Sequence, residues 1–151
     1  MFQAGSVSFT FRFKALKEGI SAMNANNGII SQSSKYSVTE SIDRLEAVLQ
    51  AKGITIFARI DQQAEAEKAA LSLRPMQLLL FGNPKAGTPL MVASPTIGLD
   101  LPLKVLAWEA VDGKVWLSYK DHNYLKQQFS LSDELVKNIA IIPSLIEQTL
   151  A

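Results

Sequence analysis

Eight residues with the right chemistry to hold a small molecule gather at the ends of apolar runs in mid-chain: Arg59, Asp61, Asn83, Lys85, Gly87, Thr88, Asp100 and Lys104. The motif "GTPLM" (87–91) predicts a short helix through Ala93, with Thr88 as N-cap and Pro89 as its first residue. The opening amides of a helix are unpaired donors at the positive end of its dipole. Lys85, Thr88 and the amides after Gly87 are therefore expected to cradle a small anionic or carbonyl-bearing ligand, with Asp61, Asp100 and Lys104 orienting it. The lysine precedes the glycine, so this is not a Walker A loop. An enzyme with Asp61 or Asp100 as general base and a lysine as electrophilic partner is the catalytic alternative. Each residue also has a plainer use. Asp61 can cap a helix, Arg59 can face water, Asn83 suits the turn before Pro84, and the two lysines can pair with Asp100.

Most of these residues lie in or beside "FGNPKAGTPLMVASPTIGLDLPLK" (81–104), which holds four prolines and three glycines. Pro84, Pro89, Pro95 and Pro102 fix φ and restrict the residues before them. Gly82, Gly87 and Gly98 allow positive φ or close approach of another segment. Such a path shapes either a pocket or an interface. As an interface it predicts a ligand-free dimer whose seam buries Leu90, Met91, Leu99, Leu101 and Leu103.

Composition removes other chemistries. With no cysteine there is no disulfide, thiolate nucleophile or cysteine-held metal, and His122 is the one histidine. No metal or cofactor is expected. Fifteen basic against 14 acidic residues leave a net charge of +1, which gives no basis for nucleic acid as a partner. No uncharged run approaches a membrane span, and the expected location is cytoplasmic. Residues 1–26 are expected to be an extension, with Met23 as an alternative start. Their alternating stretch "VSFTFRFKAL" could instead add an edge strand.

The elements that must position the eight residues form one domain over 27–151. "NGIISQSS" (27–34) reads as a strand. Ser37 and Glu40 form a capping box in front of a helix with Val38, Ile42, Leu45 and Leu49 inward, stopped at Gly53. The strand "ITIFARI" (54–60) leads to Asp61, the cap of a helix over "QQAEAEKAALSL", and "MQLLLFG" (76–82) reads as a strand buried on both faces. Asp112-Gly113 predicts a two-residue hairpin link that brings Trp108 and Trp116 onto one face or a diagonal. Asp121 caps a helical turn. A last helix opens at Ser130 or Ser132, turns Leu135, Ile139, Ile142 and Leu145 inward, and kinks at Pro143. The order predicts an α+β fold: one mainly antiparallel sheet with helices mainly on one face.

The blocks "FGNPKAGTPLM" and "IGLDLPLK", set behind "YSVTESIDRLEAVLQAKGITIFARID", resemble the domain-of-unknown-function family 302 from about Asn27 to the last helix. The resemblance implies a fold similar to the TATA-binding-protein type in bacterial and archaeal proteins, commonly homodimers, with no established activity. Many relatives carry a histidine where this chain has Gln62, so a mechanism needing an imidazole there does not transfer. Likeness to a DNA-binding scaffold does not transfer function either.

Overall fold

The computed structural model describes residues 27–151. The proposed edge strand within 1–26 lies outside them. Five strands, β1 (Ile29–Ser34), β2 (Thr55–Asp61), β3 (Met76–Gly82), β4 (Leu103–Glu109) and β5 (Val115–Lys120), form one sheet in the order β1-β5-β4-β3-β2. All four pairings are antiparallel. Helix α1 (Val38–Ala51) lies against β2, β3, β4 and β5 and packs on the C-terminal helix α6 (Ile142–Leu150). The remaining helices are short: α2 (Gln62–Lys68), α3 (Pro84–Ala93), α4 (His122–Gln128) and α5 (Asp133–Val136), with 3-10 turns at Pro95–Leu99 and Lys137–Ile139.

The core follows from alternation along the strands. Leu79, Phe81, Leu103, Val105, Ala107 and Leu117 are buried beneath Ile42, Leu45, Leu49, Leu145 and Ile146. Side chains of opposite parity leave the sheet on its other side and are half-buried, among them Leu78, Leu80, Leu106, Trp108 and Trp116. Strand β3 is thus buried on one face, where a continuous apolar run led us to expect two. Trp108 and Trp116 pair directly across β4 and β5, and the Trp108 indole N–H donates to Ser118 Oγ at 2.8 Å.

Local chemistry sets the boundaries. Ser37 Oγ accepts the Glu40 amide at 3.1 Å, and Gly53 takes φ +68° at the end of α1. Helix α2 is capped by Asp61, whose carboxylate accepts the Ala64 amide at 2.9 Å, but it ends at Lys68 and not at Leu73. Ala70 adopts φ 58° there. The hairpin link is longer than two residues. Gly113 N–H donates to the Ala110 carbonyl and Ala110 N–H to that of Lys114, so Val111, Asp112 and Gly113 span the turn with glycine at φ +82°. The C-terminal helix is two helices. Ser132 caps α5, and Pro143 sits in the first turn of α6, where a missing N–H costs nothing.

Candidate functional site

A cavity of about 180 Å³ opens where β2, β3 and β4 meet α3. Helix α3 supplies Pro84, Ala86, Gly87, Thr88 and Met91, and β2 supplies Phe57. The bend into β4 supplies Leu101, Pro102 and Leu103, and the turn after α5 supplies Asn138 and Ile139. A register shift between Ile56 and Ala58 leaves Phe57 outside the regular ladder, at the cavity and half exposed. Asn138 Nδ2 donates to the Ala86 carbonyl at 3.1 Å and ties the two walls together.

The helix start differs from the one expected. Helix α3 begins at Pro84, with Asn83 as N-cap and Pro89 inside it. Thr88 therefore lies within the helix and is not its cap. The Asn83 side-chain oxygen accepts the Lys85 amide at 2.9 Å, and its carbonyl accepts those of Ala86 and Gly87, both at 2.9 Å. Pro84 has no N–H to offer. The amides at the actual helix start are already bonded to Asn83, and those after Gly87, expected to cradle an anion, lie inside the helix and not at its open end. None of Gly82, Gly87 and Gly98 has positive φ; Gly87 serves instead as a cavity wall without a side chain.

Of the eight residues proposed from sequence, Asn83, Gly87 and Thr88 line the cavity. Lys85 is exposed on α3 and does not. Arg59 and Asp61 lie toward the other end of β2. Asp61 pairs with Gln77, five residues along β3 from Gly82, or about 17 Å at strand spacing. Arg59 is held there by Asp43 at 2.7 Å, Gln77 at 2.8 Å and Glu46 at 3.5 Å, which makes it a tie between sheet and helix layer. The aspartate–lysine pair needed for a general-base enzyme is thus not assembled from Asp61 and Lys85.

Asp100 and Lys104 do approach one another, in the company of Lys120, which has no motif to mark it in the sequence. Lys120 Nζ is 3.1 Å from the Asp100 carboxylate, and Lys104 Nζ donates to the Pro102 carbonyl at 2.9 Å. Burial pushes the Lys104 pKa below the ordinary lysine value; Asp100 opposes that shift and Lys120 adds to it. His122 stands 3.8 Å from Asp121, next to it in sequence. Among the described residues no group of three or more acidic or histidine side chains is placed to bind a metal. No helix among them is long and apolar enough to cross a membrane.

The sequence profile of the family described as "Domain of unknown function DUF302" matches residues 30–148. The chain belongs to the DUF302 family. The fold agrees with the crystal structure of an uncharacterized conserved DUF302 protein from Bacillus stearothermophilus, at a TM-score of 0.67 and 18% identity, over 82% of this chain and 96% of that one. Over 116 residues this DUF302 chain is 44% identical to the fluoride-specific ion channel FluC 1 of Brucella suis biovar 1 (strain 1330) and to FluC 1 of Brucella abortus biovar 1 (strain 9-941). Those matches cover 77% of this chain but 45% and 42% of the channels. It therefore spans less than half the length of the curated relatives it matches.

Proposed function

We propose that this DUF302 domain is a binding module for a small neutral molecule with an apolar body and a carbonyl group. The observation that carries the reading is the lining of the cavity, which is apolar except for Asn83, Thr88 and Asn138 and includes no charged side chain. A cavity of about 150 Å³ holds a benzene ring, so the volume suits a ligand of about that size. Asn83 spends its oxygen on the Lys85 amide and keeps Nδ2 as a donor; Asn138 spends Nδ2 on Ala86 and keeps an acceptor. A ligand carbonyl fits the first group or the Thr88 hydroxyl, and an N–H fits the second. An anion would enter an apolar space without a counter-charge, at a desolvation cost of several kcal/mol or more. A module of this kind suits a longer protein too, such as the relatives named as fluoride channels.

Benzene, benzamide and benzoate test the reading, with thermal unfolding and backbone amide shifts as readouts. Benzamide should raise Tm most and move the resonances of residues 83–91 and 138–139. A larger response to benzoate would revive the anion cradle, and indifference to all three would remove the ligand.

A second reading, a homodimer, is favoured by Val92 and Leu99, which are 78% and 84% exposed beside Met91 at 38%. The seam first expected cannot form as drawn, because Leu90 and Leu103 are buried in the core of the chain itself. Sedimentation of a Val92→Asp, Leu99→Glu variant should then show a monomer where the parent chain shows a dimer; a parent chain that sediments as a monomer would end this reading.

A further inference from the structure

Lys104 is the one lysine among the described residues that is half-buried and has no carboxylate within 4.0 Å of its nitrogen. Lys35, Lys52, Lys85 and Lys114 also lack such a partner, but all four are exposed. Lys120 lies two residues beyond Ser118, the partner of Leu106, and its charge acts on Lys104, while its ammonium nitrogen is 3.1 Å from the Asp100 carboxylate. Lys104 faces away from the cavity, since its neighbour Leu103 points into the core. Its partner on β3 is Leu80, and Leu106 follows it on the same face of β4. Asp100 and Lys120 are thus the charged groups facing it; β3 contributes none there.

We propose that Lys104 is an amine nucleophile that captures small aldehydes or ketones as an imine on the open face of the sheet. Three features favour it. Its ammonium form is half-buried, no carboxylate lies within 4.0 Å of it, and a second cation, Lys120, acts on it against the offsetting charge of Asp100. Apolar surroundings and a neighbouring cation are a known route to a lysine whose pKa is lowered and whose amine is the more nucleophilic for it. In its neutral form one N–H stays on the Pro102 carbonyl while the lone pair is available to attack. The nitrogen adds to the carbonyl carbon and the carbonyl oxygen takes a proton, giving a carbinolamine. Loss of that oxygen as water and of the nitrogen proton leaves the C=N bond, so amine and carbonyl compound become imine and water with no oxidant or reductant. Water at this half-exposed position supplies and takes up the protons.

The test is independent of the cavity. The whole chain is treated with acetaldehyde and cyanoborohydride, which reduces the imine to a stable ethylamine, and each lysine is followed by peptide mass spectrometry from pH 6 to 10. Lys104 should label severalfold faster than Lys35, Lys52, Lys85 and Lys114, with its midpoint at lower pH. Lys120→Gln removes the opposing cation and should move that midpoint up; Asp100→Asn removes the favourable carboxylate and should move it down. Circular dichroism checks that each variant folds. Lys104 labelling no faster than the exposed lysines, or a midpoint unmoved by either substitution in folded protein, overturns the proposal. Benzamide binding should be the same in Lys120→Gln as in the parent chain.

Discussion

Gly87→Ala separates the two demands placed on one position. Gly87 lies in the interior of α3 without positive φ, so glycine there carries the ordinary helical penalty of about 1 kcal/mol relative to alanine. The new methyl would meet Leu101 Cδ1 at 3.8 Å, an ordinary van der Waals contact that offsets none of this gain with strain. For a domain of this size 1 kcal/mol corresponds to a rise in Tm of roughly 2–4 °C. The same methyl projects into the cavity wall. Fitting a ligand against an extra methyl costs roughly 1–3 kcal/mol, so benzamide affinity should fall about tenfold, the equivalent of 1.4 kcal/mol. Thermal unfolding gives the first quantity and calorimetric titration the second. A fall in Tm would refute the helical, unstrained description of Gly87. A rise in Tm with unchanged affinity would refute the cavity as the binding site.

Other outcomes follow from the frame. Gly28→Ala should destabilise the fold by more than about 1 kcal/mol, because Gly28 has φ +73° and a Cβ there would lie 2.3 Å from the Tyr124 ring; denaturant unfolding measures it. Arg59→Met removes the partner of Gln77 and two carboxylate contacts, and should cost about 1–3 kcal/mol in the same assay while leaving benzamide affinity unchanged. The hydrogen bond and charge of Lys126 hold the Asp133 carboxyl below its ordinary pKa, so their stabilisation is present above the unfolded value and lost as pH falls through the folded one. Lys126→Met should move the Asp133 titration upward when followed by NMR.

The parts of the fold legible in the sequence were those governed by local rules. Ser37 before an amphipathic run, Asp61 before alanines and glutamates, and the Asp112-Gly113 link that joins β4 to β5 each mark an element with little outside help. The site was legible only as a neighbourhood. The rigid 81–104 segment does form most of the cavity, but where α3 starts depended on which residue bonds the Lys85 amide. Thr88 reads as the cap and Asn83 as a turn residue from sequence, whereas the structure caps the helix with Asn83. Charge misled more than it helped. Arg59 looked like a ligand-binding group because β2 ends near polar residues, yet its partners come from α1 and β3, through contacts that span 16 and 18 residues of sequence. Asn138 gave no signal at all, since its role rests on a tertiary bond to Ala86 across 52 residues. Lys120 was hidden in the same way, because only the folded chain brings its charge to Asp100 and Lys104.

The irregularity in β2 separates the fate of the entrance from that of the frame. Because Phe57 is the surplus residue between Ile56 and Ala58, its neighbours keep their own partners on β3 whatever side chain it carries. The cavity mouth can therefore change at this single aromatic without disturbing the adjoining ladder. Deleting it would instead close the ladder, since Ile56 and Ala58 already pair with the adjacent Phe81 and Leu80, and would strip the cavity of its aromatic wall.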